Sequence, residues 1–276
     1  MAALQALRPA AGGIIRNPIL VVIAALFGVS QLPNLLVQPD RPLLAAGASL
    51  ATTGVLLFVL PFFQGGVLAM ASEAIREKTS LATLIAEGTA NYLSLLVAYF
   101  ALLAINLLFA FVVFVGVFVA VVGASAGGAT LDGDWTLLAV VGVVAGGLTL
   151  AYLLVTFAIQ FYAHAIVLND RDLVAGFRRS VALVRSNLLG VIGYSVVLLI
   201  GGVVLGAFGA AASLISGPQQ PESPVADLVA VEPTTGVLVV AAAVYVLAVG
   251  VFGAFYATYS VAFYESISEP GEPESR

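Results

Sequence analysis

The chain has 276 residues, 61% of them hydrophobic and 9% charged, with mean hydropathy +1.11 and net charge −5. Soluble domains carry roughly 25% charged residues; with so few charges this surface cannot be clothed for water, so lipid is the expected solvent for much of it. Cysteine is absent and histidine occurs once, at His164, which excludes disulfides, thiolate nucleophiles and cysteine- or histidine-rich metal sites.

In chain order, Arg8 and Arg16 precede an apolar run that opens at Asn17-Pro18. No small-residue cleavage pattern follows, so this run reads as a retained first span rather than a signal peptide. A helix needs about 20 apolar residues to cross the hydrocarbon core. The runs 18–37, 43–71, 92–122, 136–168, 188–215 and 235–264 predict about six crossings, an all-α polytopic transmembrane bundle in one domain over 1–264. A short acidic tail, 265–276, follows. The breaks at 36–42, 123–135 and 216–235 hold one basic residue, Arg41. Those at 73–90 and 169–186 hold Arg76, Lys78, Arg171, Arg178, Arg179 and Arg185. Basic residues near span ends mark the cytoplasmic side. With Arg8, Arg16 and Arg276, nine of the ten fall there, predicting a multi-pass cell-membrane protein with both termini cytoplasmic and three loops outside.

Spans one, three and five open on Asn17, Asn91 and Asn187, read as helix N-caps; Pro18, at a first helical position, loses no hydrogen bond. Gln64, Gln160 and Tyr256 stand near the inner ends of spans two, four and six. Asn91 to Gln160 and Asn187 to Tyr256 are both 69 residues, whereas Asn17 to Gln64 is 47. This predicts three repeated helical hairpins, 1–72, 73–168 and 169–264, related by an axis along the membrane normal. Units two and three begin with amphipathic stretches. In 80–92, Leu81, Leu84, Ile85 and Tyr92 share a face. In 172–186, Leu173, Phe177, Val181 and Val184 line one face, Arg178 and Arg185 occupy another, and Asp172 is a candidate cap. Such helices lie in the headgroup layer with the apolar side down, making Arg178, Arg179 and Arg185 candidate lipid-headgroup contacts. The plainer reading is an elbow that re-enters the bilayer.

The segment Gly176-Phe-Arg-Arg-Ser-Val-Ala-Leu-Val-Arg-Ser-Asn187, followed by Leu-Leu-Gly-Val-Ile-Gly, resembles the elbow of a broad set of multi-spanning proteins. These include the membrane domain attached to some glycerophosphodiester phosphodiesterases and uncharacterised six-span proteins of haloarchaea. The likeness is specific over about 18 residues and general in span order beyond them. Val181 stands where such elbows carry tryptophan, and no phosphodiesterase barrel lies within these residues, so hydrolase activity is not implied. The acidic tail and the scarcity of lysine suit a halophilic, archaeal source.

The predicted hydrocarbon holds almost no ionisable residue, which argues against a proton-coupled pump or a carrier of charged substrates. Gln160 and His164, one helical turn apart, share a face. With Gln64 and Tyr256 they either line a polar constriction, should the three units pack around a common axis, or hold helices together through hydrogen bonds. Tyr162, Tyr256, Tyr259, Tyr264 and Trp135 also read as interfacial anchors, Asn106 as a bond to another helix, and Gly142-x-x-x-Gly146 and Gly202-x-x-x-Gly206 as close helix contacts. No phosphate loop, nucleophile elbow or dinucleotide fingerprint is present and no dense basic patch exists, so neither a catalytic site, a cofactor nor a nucleic-acid partner is expected. The expected partner is the bilayer, with another membrane protein, of unknown identity, as a further candidate. The leading reading is a non-enzymatic scaffold or accessory module. The alternative is a transporter or channel for a neutral or lipid-like substrate.

Overall fold

A computed structural model describes residues 2–36, 42–126, 135–216 and 234–268. The described residues form helices without strands: α1 (Ala2–Gln5), α2 (Leu7–Arg16), α3 (Ile19–Leu36), α4 (Pro42–Arg76), α5 (Leu81–Ala90), α6 (Tyr92–Ala126), α7 (Trp135–Ile159), α8 (Tyr162–Asn169), α9 (Leu173–Ser186), α10 (Leu188–Ser216) and α11 (Thr235–Ser268). Five helices are long and apolar enough to cross a membrane, or six when the bent α2–α3 pair counts as one span. The expected outer loops, with Arg41, and the tail beyond Ser268, with Arg276, lie outside the described residues.

Burial is concentrated at one end. Three apolar clusters there join α1, α2, α5, α8 and α9 to the adjoining ends of the long helices, and α11 contributes to all three. The described charged residues belong to this base or its rim, and cross-contacts tie it together. Arg76 pairs with Glu265 at 2.9 Å. The Glu265 carboxylate also accepts the Ser72 hydroxyl at 2.7 Å. The Tyr259 hydroxyl donates to the Ala3 carbonyl at 3.1 Å, so both ends of the described chain meet here. Beyond the base, the central stretches of α6 and α7 bury nothing inside the protein, as expected of helices whose packing partner is lipid.

The N-terminal segment also forms an elbow: α2 meets α3 at 88°, at Asn17-Pro18. The three junction asparagines do hold the first carbonyl of the following span, with Leu20, Leu95 and Val191 donating to Asn17, Asn91 and Asn187. Their side chains, however, point backwards rather than capping that span. Each Nδ2 donates to the carbonyl four residues earlier: Gly13 at 3.0 Å, Glu87 at 3.1 Å and Leu183 at 3.2 Å. A helix end leaves four carbonyls without intrahelical donors, and a turn inside a membrane protein has little water to supply them. Asn17 goes further: its Nδ2 also reaches the Ala74 and Glu77 carbonyls at 3.3 and 3.0 Å, and its Oδ1 accepts the Thr79 N–H at 2.9 Å. Arg16 Nη2 donates to the Ala74 and Ile75 carbonyls at 3.2 and 2.8 Å. Together the two residues cap α4.

Several sequence expectations change. Gly142, Gly146, Gly202 and Gly206 face open space, so they make no close helix contact. The tight seam is α3 against α11, the most extensive helix contact. A Cβ at Gly250 would stand 2.8 Å from the Val21 carbonyl oxygen, and one at Gly253 would stand 2.9 Å from Ala24 Cβ. Tyr162, Tyr259 and Tyr264 are buried in the base rather than anchored at the lipid boundary. The apolar face of α9 packs on protein, with Leu183 and Val184 in one cluster and Leu173 and Phe177 against another. In α5 the predicted face splits: Leu84 is buried, while Leu81 and Ile85 are exposed. Asp172 caps α9 as expected, accepting the Ala175 N–H at 2.8 Å. Asn106 does bond another helix, accepting the Tyr152 hydroxyl.

Two outcomes test this packing. Asn17→Ala leaves buried backbone groups of α4 and the α4–α5 turn unpaired and should cost about 2–4 kcal/mol; Asn187→Ala, whose amide serves only its own elbow, should cost about 1 kcal/mol or less. Chemical unfolding in detergent reads the difference, and equal losses would contradict the capping role. Gly250→Ala should lower the thermal midpoint whereas Gly202→Ala should not.

Candidate functional site

Span four is not continuous. The helix breaks at Gln160–Phe161 between α7 and α8, and the cause is visible. Ser180 of α9, fully buried, enters the gap. Its hydroxyl accepts the Phe161 N–H at 3.0 Å and donates to the Ala158 carbonyl at 3.0 Å, replacing helix bonds lost at the break. Gly176 lets α9 approach this closely, since a Cβ there would lie 2.9 Å from Ile166 Cγ1. Beside Gly176, the Phe177 ring stacks on Tyr162 with centroids 4.9 Å apart. The break turns Gln160 and His164 towards a cavity of about 600 Å³ enclosed by α3, α4 and α11, with Tyr99 of α6 at its side.

Gln64, Gln160, His164 and Tyr256 all line this one cavity, so the polar residues of the three predicted units do meet. Gln64 and Tyr256 each stand about 18 Å before the C-terminus of their helix, at 1.5 Å per residue. Ser260 and Tyr99 complete the polar part of the wall, and Ser30 stands at the far side. The remainder is apolar, formed by residues such as Ile23, Phe27, Val55, Leu60 and Val249. Among the described residues, no aspartate, glutamate, lysine or arginine lines it. Leu26, Val55 and Tyr256, on the α3, α4 and α11 walls, are 54%, 62% and 55% exposed.

His164 is 7% exposed and held on three sides. Its ring lies edge-on to Phe161 and stacks on Tyr264, with centroids 5.6 and 5.2 Å away. Its Nε2 is 3.1 Å from Ser260 Oγ. The Ser260 hydroxyl also lies 2.9 Å from the Ala257 carbonyl, to which it can donate. The direction of the His164–Ser260 bond follows the imidazole tautomer: Nε2–H donates when the Ser260 proton goes to Ala257, and Nε2 accepts when it does not. His164 Nδ1 is buried without a partner among the described residues. Gln64 Oε1 is in the same condition. The Gln160 Nε2 is occupied at the Phe157 carbonyl, 2.9 Å away.

The three arginines proposed for headgroups lie elsewhere. Arg178, Arg179 and Arg185 are on the exposed side of α9 and do not line the cavity. Arg179 Nη2 donates to the Ser268 carbonyl at 3.2 Å and so caps α11. Sequence reasoning missed Ser260, although it follows Tyr256 at the same four-residue spacing that links Gln160 to His164. It also missed Ser180, whose only signal was its place inside the recognisable elbow.

The chain belongs to the family described as Domain of unknown function (DUF7847). The match covers residues 1–267, and thus all the described helices but for the last residue of α11. No curated protein and no solved structure matches the chain.

Ser180→Ala should expose the Phe161 amide and the Ala158 carbonyl without opening the base. Hydrogen exchange at Phe161 is expected to quicken while that of α4 near Ala74 stays unchanged. Unaltered exchange at Phe161 would mean that Ser180 does not maintain the break.

Proposed function

We propose that this multi-pass membrane protein binds a neutral, lipid-like molecule in the cavity between α3, α4 and α11, as a carrier or channel rather than an enzyme. The observation that carries this reading is the make-up of the wall: a polar floor, apolar sides and no charged group among the described residues. Ligand sites are typically concave and apolar, with a few converging polar groups that set orientation. An ionic substrate would lose its hydration here without a counter-charge. The polar set has no carboxylate to pair with His164, so it lacks the acid–base couple expected of a hydrolase.

By the positive-inside rule, the base carrying Arg16, Arg76, Lys78 and the α9 arginines faces the cytoplasm of a cell membrane, with the cavity mouth opening into the bilayer above it. We read the chain as three hairpin units, a reading supported by the backward-pointing amides of Asn17, Asn91 and Asn187. Arg178 and Arg185, exposed on α9, suit anionic headgroups. They also favour the scaffold reading, because an elbow whose apolar face is already occupied by protein offers its basic face to a partner.

Full-length protein in nanodiscs, labelled with an uncharged photoreactive long-chain hydrocarbon, tests the main proposal. Adducts should concentrate on Phe27, Val59 and Phe63, and Leu56→Trp, which fills the cavity, should remove them. Labelling no denser there than on Leu107 and Phe111 of lipid-facing α6 would count against a ligand cavity.

A further inference from the structure

A second concave site lies on the base, away from the cavity. Arg8, Pro9, Gly12, Ile15 and Arg16 of α2 line a shallow groove of about 470 Å³. Arg8, Gly12 and Arg16 follow one another at four-residue intervals, which places them along one side of the helix. The other side is seated on protein: Ala10 is buried, and a Cβ on Gly13 would stand 3.2 Å from the Ala74 carbonyl oxygen. A Cβ on Gly12, by contrast, would meet nothing within 4 Å. Arg16 is held in place, since its Nη2 caps α4 at the Ala74 and Ile75 carbonyls. Its guanidinium keeps further N–H groups beyond those two bonds. Neither arginine is neutralised. The sequence has no acidic residue before Asp40, and among the described residues the ion pair formed is Arg76 with Glu265, not one to Arg8 or Arg16.

We infer that this groove binds the phosphate of an anionic phospholipid from the adjoining leaflet. The inference goes beyond the proposed function and does not depend on what the cavity binds. Two guanidinium groups without counter-charges suit a phosphodiester, whose oxygens accept charge-assisted bonds from both. A zwitterionic headgroup brings an ammonium of its own, which offsets that attraction. The direction of α2 and the character of Ile15 favour a membrane lipid over a soluble anion. Since α2 meets α3 at 88°, α2 lies along the bilayer surface where α3 enters it, at the depth of the phosphates. Ile15 stands next to Arg16 at the α3 end of the groove and is 82% exposed. Acyl chains would cover an isoleucine there, whereas a soluble anion would leave it in water. Exposed apolar side chains continue into α3 with Val22 and Leu26.

The test uses the full-length chain with Ile15→Trp and Trp135→Phe, which leaves one tryptophan, placed in the groove and still apolar. It is held in nanodiscs of phosphatidylcholine with a minor share of phosphatidylglycerol, and bromine on the acyl chains of one lipid or the other quenches the fluorescence. At equal mole fraction of brominated lipid, quenching should report about tenfold local enrichment of phosphatidylglycerol, and Arg8→Gln should reduce it about fivefold, the factor for one arginine near an anionic surface. Gly12→Leu fills the groove without altering charge and should reduce the enrichment to a similar extent. Equal quenching by the two lipids would overturn the inference. So would a Gly12→Leu protein that keeps the enrichment, because the arginines would then act only as surface charge. Inorganic phosphate should not relieve the quenching; relief would make the groove a site for soluble anions and overturn the lipid assignment. Both variants change open positions on α2, and should one fail to fold the other decides. Labelling of the cavity by the hydrocarbon probe should be the same in Arg8→Gln as in the unaltered protein, so failure at either site is read separately.

Discussion

Backbone groups that leave a helix inside or beside a membrane must find a partner in the protein, and that constraint shapes the base of this molecule. The ends of α4 and α11 are not left to solvent. Arg16 and Asn17 of the first elbow close α4, and Arg179 of the third closes α11. At the break in span four, Ser180 supplies one acceptor and one donor to the interrupted ladder. Short helices with side-chain caps therefore lock the long ones at one end. Towards the other end the helices need only lipid around them, because each satisfies its backbone internally.

The cavity follows from where small residues fall. Gly28, Gly250 and Gly253 bring α3 and α11 nearly into backbone contact. Drawn to α11, α3 packs only sparsely on α4, its partner in sequence, and the gap between them becomes the cavity. On the far side, Gly65 and Gly66 pull α4 against α5, where a Cβ on Gly65 would lie 3.2 Å from the Glu87 carbonyl oxygen. Close packing on two sides thus leaves a void on the third. The polar groups facing that void come from different helices that no local interaction would gather.

The α9 elbow links the surface to this interior. Its exposed side carries arginines, and its buried side carries Gly176 and Ser180, which hold α8 and the break beside it. The segment most recognisable in sequence is consequently the one that sets the position of Gln160 and His164. Its conspicuous arginines do other work, one of them as a helix cap.

Composition and hydropathy by themselves determined the solvent, the all-helical class, the approximate span boundaries and the grouping of basic residues near the same helix ends. Those properties are local: about 20 apolar residues in a row must be a satisfied helix wherever they sit. The spacing of Gln64, Gln160, His164 and Tyr256 also hinted at a shared level, and all four line one cavity. Only the tertiary structure decided which glycines are contacts. Gly202 and Gly250 look alike in sequence, but the neighbour that distinguishes them lies far along the chain. It likewise decided that Asn17 caps a helix some sixty residues away, that Ser180 splits a span, and that Ser260 orients His164. Each depends on which helices lie side by side, and that is settled by packing between distant segments rather than by any one segment's pattern.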